Sequence, residues 1–249
     1  QTGEAHWNEE AKALITGVIL HVVCSEHPGA RNLVTVRDML TSAPEAFAEM
    51  LAVMQKSKRA GGLVARAANR HLSKSGREAA GGLSSAQRHT HFLDSQRMAA
   101  VLELSDFRFE DLKAGVCTVF VVLPPERLST HARWLRLLVA QAIGDLAKST
   151  ARPERPVLLL LDEFAALGRL EPLEQAFGLM AGYGLQLWPV LQDLHQLRSV
   201  YGERAGTFLS NAGLIQIFNV GDVETASWVS RSMGSGTVAY RTGSSGESQ

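Results

Sequence analysis

The segment Val157–Leu170, VLLLLDEFAALGRL, decides the fold expected for this chain. Five consecutive aliphatic residues follow a proline and end at Asp162 and Glu163, a pattern typical of a buried strand. A strand that is apolar throughout is favoured in a parallel sheet covered on both faces. Ligands of such sheets bind beyond the carboxyl ends of the strands. The two acids therefore stand where chemistry is expected.

Strands and helices are predicted to alternate around this segment. Apolar runs at 116–124, 185–192 and 212–220 predict further strands, and the stretches between them show helical periodicity. The first hundred residues show helical periodicity instead. The expected fold class is α/β, with an all-helical domain over 1–104 and a parallel-sheet domain over 105–249.

Composition restricts the class of protein but does not define its function. The apolar and charged fractions are ordinary, which argues against a disordered or fibrous chain. The 25 basic and 25 acidic residues cancel, so any surface for nucleic acid has to be local. The apolar stretch Leu14–Val23 is half of the roughly 20 residues that a membrane span needs. This chain is therefore not expected to cross a membrane.

The polar residues at the predicted strand ends suit phosphate-anhydride hydrolysis. Asp162 is placed to hold Mg²⁺ through a water, because hard cations prefer oxygen ligands. Glu163 is placed to act as general base or to orient the attacking water. Gln192 ends the next strand, where it would hydrogen-bond that water and the terminal phosphate and so sense the nucleotide. The simpler alternative is that Asp162 caps the following helix and Glu163 is only solvated.

The loop that usually cradles the phosphates is not found in the sequence. Such a loop has the pattern G-x-x-x-x-G-K-[ST], and the 249 residues contain no match. The nearest segment is GDLAKST at 144–150, which lacks the second glycine and is predicted to end a helix. No cofactor-binding residue of this Walker A type is therefore predicted here, and the chain alone is expected to be inactive.

Four ordered blocks after the strand resemble one family. The blocks DEF, LQDLHQL, LSNAG and GDVETA occur in the order and approximate spacing of the type IV coupling proteins. These are the DNA-translocating ATPases of conjugation and type IV secretion. Upstream, VCTVFVVLPPERL looks like the strand before the Asp-Glu block, and Trp7 with AKALITGVILHV resembles the start of an inserted helical domain. The resemblance implies a RecA-like P-loop NTPase parallel sheet, represented by its C-terminal part, with an all-helical inserted domain.

The resemblance also implies roles for single residues. It makes Asp162 and Glu163 the Walker B pair and Gln192 the nucleotide-sensing glutamine, with ATP and Mg²⁺ as cofactors. Many relatives carry an arginine just before the LQD strand, a candidate arginine finger, where this chain has MAGYG at 180–184. Arg169 is the nearby residue that would substitute for it.

The family also implies partners and a cellular location. A ring-shaped homo-oligomer, with six copies as the expected number, would pass DNA along its central channel. A relaxase or secreted effector protein and components of the type IV secretion channel are the implied protein partners. Membrane helices and the phosphate loop would precede residue 1. This portion would then lie at the cytoplasmic face of the bacterial inner membrane.

A basic segment at 56–88 has two interpretations. Its one acidic residue is Glu78. If the segment formed a continuous helix, five cations would lie on one face, and such a surface could bind DNA phosphates or an acidic segment of a partner. The alternative is a solvated loop interrupted by glycines, which the lack of interleaved aromatic residues favours. The cations considered for DNA or partner contacts are Lys56, Lys58, Arg59, Arg66, Arg70 and Lys74.

Three functions stay open from the sequence. The leading expectation is part of an ATP-driven coupling protein that delivers DNA or nucleoprotein substrates to a type IV secretion or conjugation channel. A second is a related secretion or pilus-assembly ATPase that moves protein. A third is a catalytically silent fragment whose helical part recognises a relaxase or effector.

Overall fold

A computed structural model describes residues 2–234, with side chains from residue 4 onward. The chain divides into two compact units, residues 1–108 and residues 109–249. Within residues 2–234, no helix combines the length and the apolar character that crossing a bilayer requires.

The first unit is helical. Its helices are α1 (Thr2–Ser25), α2 (Leu33–Leu40), α3 (Pro44–Gln55), α4 (Leu63–Leu72), α5 (Gly76–Thr90) and α6 (Gln96–Glu103). Ala11, Leu14, Val18 and Val22 of α1 are buried and recur every three to four residues, so one face of the longest helix forms the centre of the core.

Two glycines allow α1 and its neighbours to pack closely. A Cβ atom added at Gly17 would lie 2.4 Å from Cβ of Ala67 on α4. A Cβ atom added at Gly81 of α5 would lie 2.6 Å from the ring of Trp7 on α1. Real Cβ atoms do not approach this closely, so the helix spacing depends on the missing side chains.

A buried arginine joins α2 to the end of α5. Arg37 is 8% exposed and donates from Nε and Nη2 to the two carboxylate oxygens of Asp94, at 2.6 and 2.7 Å. Its Nη1 donates to the carbonyl of Gln87 and to Oγ1 of Thr90. The hydrogen bonds from Arg37 lower the pKa of Asp94. The buried guanidinium of Arg37 therefore has its charge and its hydrogen-bond donors paired within the unit.

The second unit contains a parallel strand pair. Its elements are α7 (Leu128–Lys148), β1 (Val157–Leu161), α8 (Glu171–Leu179), β2 (Leu185–Pro189), α9 (Leu194–Tyr201), α10 (Ala205–Asn211) and α11 (Val223–Met233). The strands run parallel, with Val157 opposite Leu185 and Leu161 opposite Pro189. α7 ends at Lys148, as predicted for the GDLAKST segment, so this segment is a helix end and not a phosphate loop.

One face of the strand pair is covered and the other is exposed. The covered face packs on a core that includes Leu146, Phe164 and Leu173. On the opposite face, Leu160 is 58% and Trp188 47% exposed. Within the described residues, helices therefore cover one face, although the sequence predicts a sheet covered on both.

Two predicted strands are not formed. Residues 116–124 and 212–220 carry no strand in the described structure, and Phe120 and Phe218 are 84% and 77% exposed. A strand is defined by a hydrogen-bonded neighbour, and the sheet within residues 2–234 consists of β1 and β2 alone. The apolar pattern predicted buried strands at both places, but strand pairing is non-local and could not be predicted from the pattern, and both segments are largely exposed in the described structure.

The basic segment is mostly helical, so its interpretation as a loop is wrong, although it does not form one continuous helix. α4 and α5 occupy most of it, separated at 73–75. Gly61 and Gly62 have φ angles of 61° and 79° before α4 begins. The five cations therefore do not share one continuous helical face.

Candidate functional site

The two acids lie where β1 ends. Asp162 directly follows the last residue of β1, and the side chains of Asp162 and Glu163 are exposed. The N–H of Val190 donates to the carbonyl of Leu161 at 3.0 Å, and the N–H of Phe164 donates to the carbonyl of Val190 at 3.2 Å. The pairing of the strands thus continues past the acids, which are held against the segment that follows β2.

The backbone of Glu163 is in the left-handed region. Its φ and ψ are 49° and 44°, a conformation that costs a non-glycine residue about 1–2 kcal/mol. The N–H of Glu163 donates to Oδ1 of Asp162 at 3.1 Å, and its carbonyl accepts from the N–H of Ala166 at 2.8 Å. The short helical turn Phe164–Leu167 has no side-chain cap. Asp162 therefore shapes the turn at Glu163 and does not cap a helix.

Gln192 lies at the same edge of the sheet, two residues beyond Val190. Its side chain is exposed, and its N–H donates to Oε1 of Gln196 at 3.1 Å. The N–H of Gln196 donates in turn to Oδ1 of Asp193, the N-cap of α9, at 2.8 Å. Sequence reasoning missed Gln196. The spacing of four between the two glutamines, across an aspartate that begins a helix, was the available signal.

Contacts with α11 brace the segment after β2. The N–H of Leu194 donates to Oγ1 of Thr225 at 3.4 Å. Glu224 pairs with Nε2 of His195 at 3.0 Å and also with Arg198. These contacts join α9, which begins next to Gln192, to the first turn of α11.

Arg169 lies near the acids in sequence but is engaged elsewhere. Its Nη2 is 3.9 Å from Oε2 of Glu174, whose Oε1 accepts from Arg204 at 2.9 Å. Just before it, the carbonyl of Leu167 accepts from Nη1 of Arg136 at 2.7 Å. Its role as an arginine finger stays a prediction.

The cations of the basic segment lie in the other unit and form two groups. Arg70 and Lys74 are paired with Glu10, at 2.9 and 3.1 Å, and Lys74 also pairs with Glu78 at 2.9 Å. The hydrogen bond from Arg70, with that from Lys74, lowers the pKa of Glu10 to about 2. These two cations are therefore largely neutralised within the unit.

The remaining cations are more available. Arg66 donates to the carbonyl of Gly61 at 2.8 Å, which leaves its positive charge unbalanced. Lys56, Lys58 and Arg59 are exposed on the connection between α3 and α4. The structure thus concentrates uncompensated charge at the beginning of the basic segment.

The acids at the end of β1 fit a magnesium ion that is held together with a nucleotide. Mg²⁺ is usually bound by one or two carboxylates plus waters and substrate phosphates. Within the described part of the chain, no group of three or more His, Cys, Asp or Glu residues could hold a metal by itself. An adjacent, exposed carboxylate pair therefore matches a Mg²⁺ site that is completed by waters and substrate phosphates, and does not match a site built from protein ligands alone.

A parallel strand pair that ends in adjacent carboxylates, with helices packed on one face, is typical of α/β folds that bind ligands beyond the carboxyl ends of their strands. The family model described as "Type IV secretory system Conjugative DNA transfer" matches residues 1–249. The chain belongs to this family, the type IV coupling proteins. The resemblance carried by the four sequence blocks is confirmed.

Curated relatives show the same relationship. The conjugal transfer protein TraG of Escherichia coli is 28% identical over 94% of this chain and 40% of its own length. The protein VirD4 of Agrobacterium fabrum (strain C58 / ATCC 33970) is 34% identical over 57% of this chain and 22% of its own length. The chain thus spans less than half the length of these relatives.

Solved structures confirm the fold class. The bacterial conjugative coupling protein TrwBdeltaN70, in an unbound form, matches with a TM-score of 0.63 and 19% identity, over 85% of this chain and 47% of its own. TrwB in complex with ADP and Mg²⁺ matches with a TM-score of 0.60 and 19% identity, over 83% of this chain and 46% of its own. The chain therefore has the RecA-like fold of the coupling proteins, represented in part.

Proposed function

We propose that this chain contributes the hydrolytic residues of an ATP-driven coupling protein, which delivers DNA or nucleoprotein substrates to a type IV secretion channel. The observation that carries the proposal is the pairing of Leu161 and Phe164 with Val190, which places Asp162, Glu163 and Gln192 at one edge of the sheet. The solved TrwB complexes with ADPNP and with ADP and Mg²⁺ support nucleotide binding in the family.

Each residue has a distinct role in the proposed reaction. Asp162 would hold Mg²⁺ through a water, and the ion would supply charge neutralisation for the phosphates. Glu163 orients the attacking water and accepts its proton. Gln192 hydrogen-bonds that water and reports whether the terminal phosphate is present. Cradling of the phosphates is assigned to a loop that these 249 residues lack.

The assembly that we propose follows the family. A ring of six copies would bind nucleotide between neighbouring subunits and pass DNA through its centre. The complete assembly would sit at the bacterial inner membrane, with this portion on the cytoplasmic side. There it would contact a relaxase or effector and components of the secretion channel.

The experiment is ATP turnover by the complete gene product with Glu163→Gln. We expect turnover to fall to background and nucleotide binding to persist, because the amide keeps the shape of the side chain but cannot accept the proton. Glu203→Gln, an exposed acid of the same unit, serves as the matched control and should retain turnover. Full turnover by Glu163→Gln would remove Glu163 from the mechanism.

The helical unit is proposed to contact DNA or a protein partner through its basic segment. Among the six predicted cations, Lys56, Lys58, Arg59 and Arg66 carry this role. Arg70 and Lys74 mainly hold the unit together through Glu10.

Salt dependence tests the proposed basic surface. For the triple variant Lys56→Gln, Lys58→Gln and Arg59→Gln, the slope of log affinity against log salt should fall by about 0.7–0.9 for each lost DNA phosphate contact. Lys12→Gln, an exposed lysine of α1, is the control. An unchanged slope together with lost capture of a relaxase would assign the surface to protein recognition.

A further inference from the structure

The carboxylate of Glu163 is aimed by a turn that its own backbone disfavours. In the left-handed region, Cβ of a non-glycine residue approaches the following carbonyl oxygen, so the conformation persists only where its surroundings impose it. The next residue, Phe164, is anchored by its N–H to the carbonyl of Val190. A second anchor on Phe164 is its side chain.

The ring of Phe164 is 1% exposed and lies in an aromatic cluster. The ring of Tyr201 stacks on it with a centroid distance of 5.9 Å and an interplanar angle of 8°. Phe208 meets both rings, at 5.8 Å from Phe164 and 4.5 Å from Tyr201. Since Phe164 directly follows Glu163, a ring held on two sides fixes one end of the strained turn.

Tyr201 is also tied to Gln192. It is the last residue of α9, and the N-cap of that helix is Asp193. Gln196 in the first turn of α9 accepts the N–H of Gln192. A single short helix therefore connects the ring that stacks on Phe164 to the backbone of Gln192.

We propose that Tyr201 is a positioning residue for hydrolysis. Its ring holds Phe164, and through Phe164 it holds Glu163 in the left-handed conformation at the edge of the sheet where Gln192 also lies. The proposal rests on the hydrolytic role of Glu163 proposed above. Without the ring, the turn relaxes and the carboxylate leaves the position needed to accept a proton, although the residues that bind nucleotide are untouched.

The first test compares variants of Tyr201 in ATP turnover by the complete gene product. Tyr201→Leu should lower kcat by about 100-fold, as expected for a misplaced catalytic group, and leave KM for ATP within about threefold. Tyr201→Phe keeps the ring and should retain turnover. Phe177→Leu is the matched control. The Phe177 ring packs on Phe208 at 4.7 Å, so it belongs to the same aromatic cluster but is one ring contact further from Phe164 than Tyr201 is.

The second test measures the strain without using activity. Glu163→Gly removes the penalty of the left-handed conformation and should raise the melting temperature by about 2–4 °C. In the Tyr201→Leu background this gain should disappear, because the turn has already relaxed. The coupling between the two sites is the quantity to be measured.

The outcomes separate the two proposals. If Glu163→Gln keeps turnover, the hydrolytic role of Glu163 fails, whatever the Tyr201 variants do. If Glu163→Gln abolishes turnover but Tyr201→Leu lowers kcat no more than Phe177→Leu, the positioning role fails alone. An equal stabilisation by Glu163→Gly in both backgrounds would also overturn it.

Discussion

Replacing Gly17 by alanine tests the close packing of α1 against α4. The new Cβ would lie 2.4 Å from Cβ of Ala67, and neither methyl group can rotate away, so the two helices must separate. Overpacking of this kind costs about 1–3 kcal/mol, and the upper half of that range applies where backbone has to move. Alanine also has a higher helix propensity than glycine, which adds about 1 kcal/mol to the unfolding free energy. The expected net loss is about 1–2 kcal/mol of unfolding free energy.

The assay is urea unfolding followed by far-ultraviolet circular dichroism, with hydrogen exchange to locate the loss in α1 and α4. Gly76→Ala is the matched control, because a Cβ there meets nothing within 4 Å. It should leave stability unchanged or raise it by less than about 1 kcal/mol. Adding Ala67→Gly to Gly17→Ala should remove the clash, so the loss of unfolding free energy in the double variant should be smaller than the sum of the two single losses. A midpoint that Gly17→Ala leaves unchanged would refute the reasoning, as would the absence of coupling.

Two further predictions concern charged groups. The pKa of Glu10 is lowered from 4.5 to about 2. The ionised Glu10 therefore makes its full contribution to stability at pH values above the ordinary pKa of 4.5, and this contribution is lost as the pH falls toward about 2. Glu10→Gln should therefore flatten the acid side of the stability curve measured by chemical denaturation at several pH values. The second group is Lys113, which is 6% exposed and donates to the carbonyls of Leu146 and Ser149 at the end of α7. Lys113→Met should destabilise the second unit by about 1–2 kcal/mol in thermal unfolding, and a neutral effect would contradict this capping role.

Local patterns in the sequence were sufficient for the strand pair and the helices. The run Val157–Leu161 and the segment from Leu185 both form strands, and they pair in parallel as predicted. The chain direction alone then brings Gln192 to the edge that carries Asp162 and Glu163. This part of the candidate site could be predicted because strand ends of a parallel sheet meet by topology.

Other features depend on contacts that no local pattern reveals. The apolar runs at 116–124 and 212–220 resemble strands, but whether they pair is decided by another segment. The sequence likewise could not show that Arg70 and Lys74 are compensated by Glu10, about sixty residues away. The left-handed backbone of Glu163 is also invisible in sequence, because a glutamate gives no indication of a turn that glycine or asparagine would prefer.

The conformation of residue 163 has an evolutionary consequence. A gene copy released from the need to hydrolyse nucleotide would gain stability from glycine or asparagine at this position, since both adopt positive φ more readily. With the hydrolytic role proposed for Glu163, selection for the reaction and selection for the fold would act in opposite directions on one codon. Under this reasoning, glycine or asparagine at position 163 would mark a copy that keeps the fold but no longer hydrolyses nucleotide.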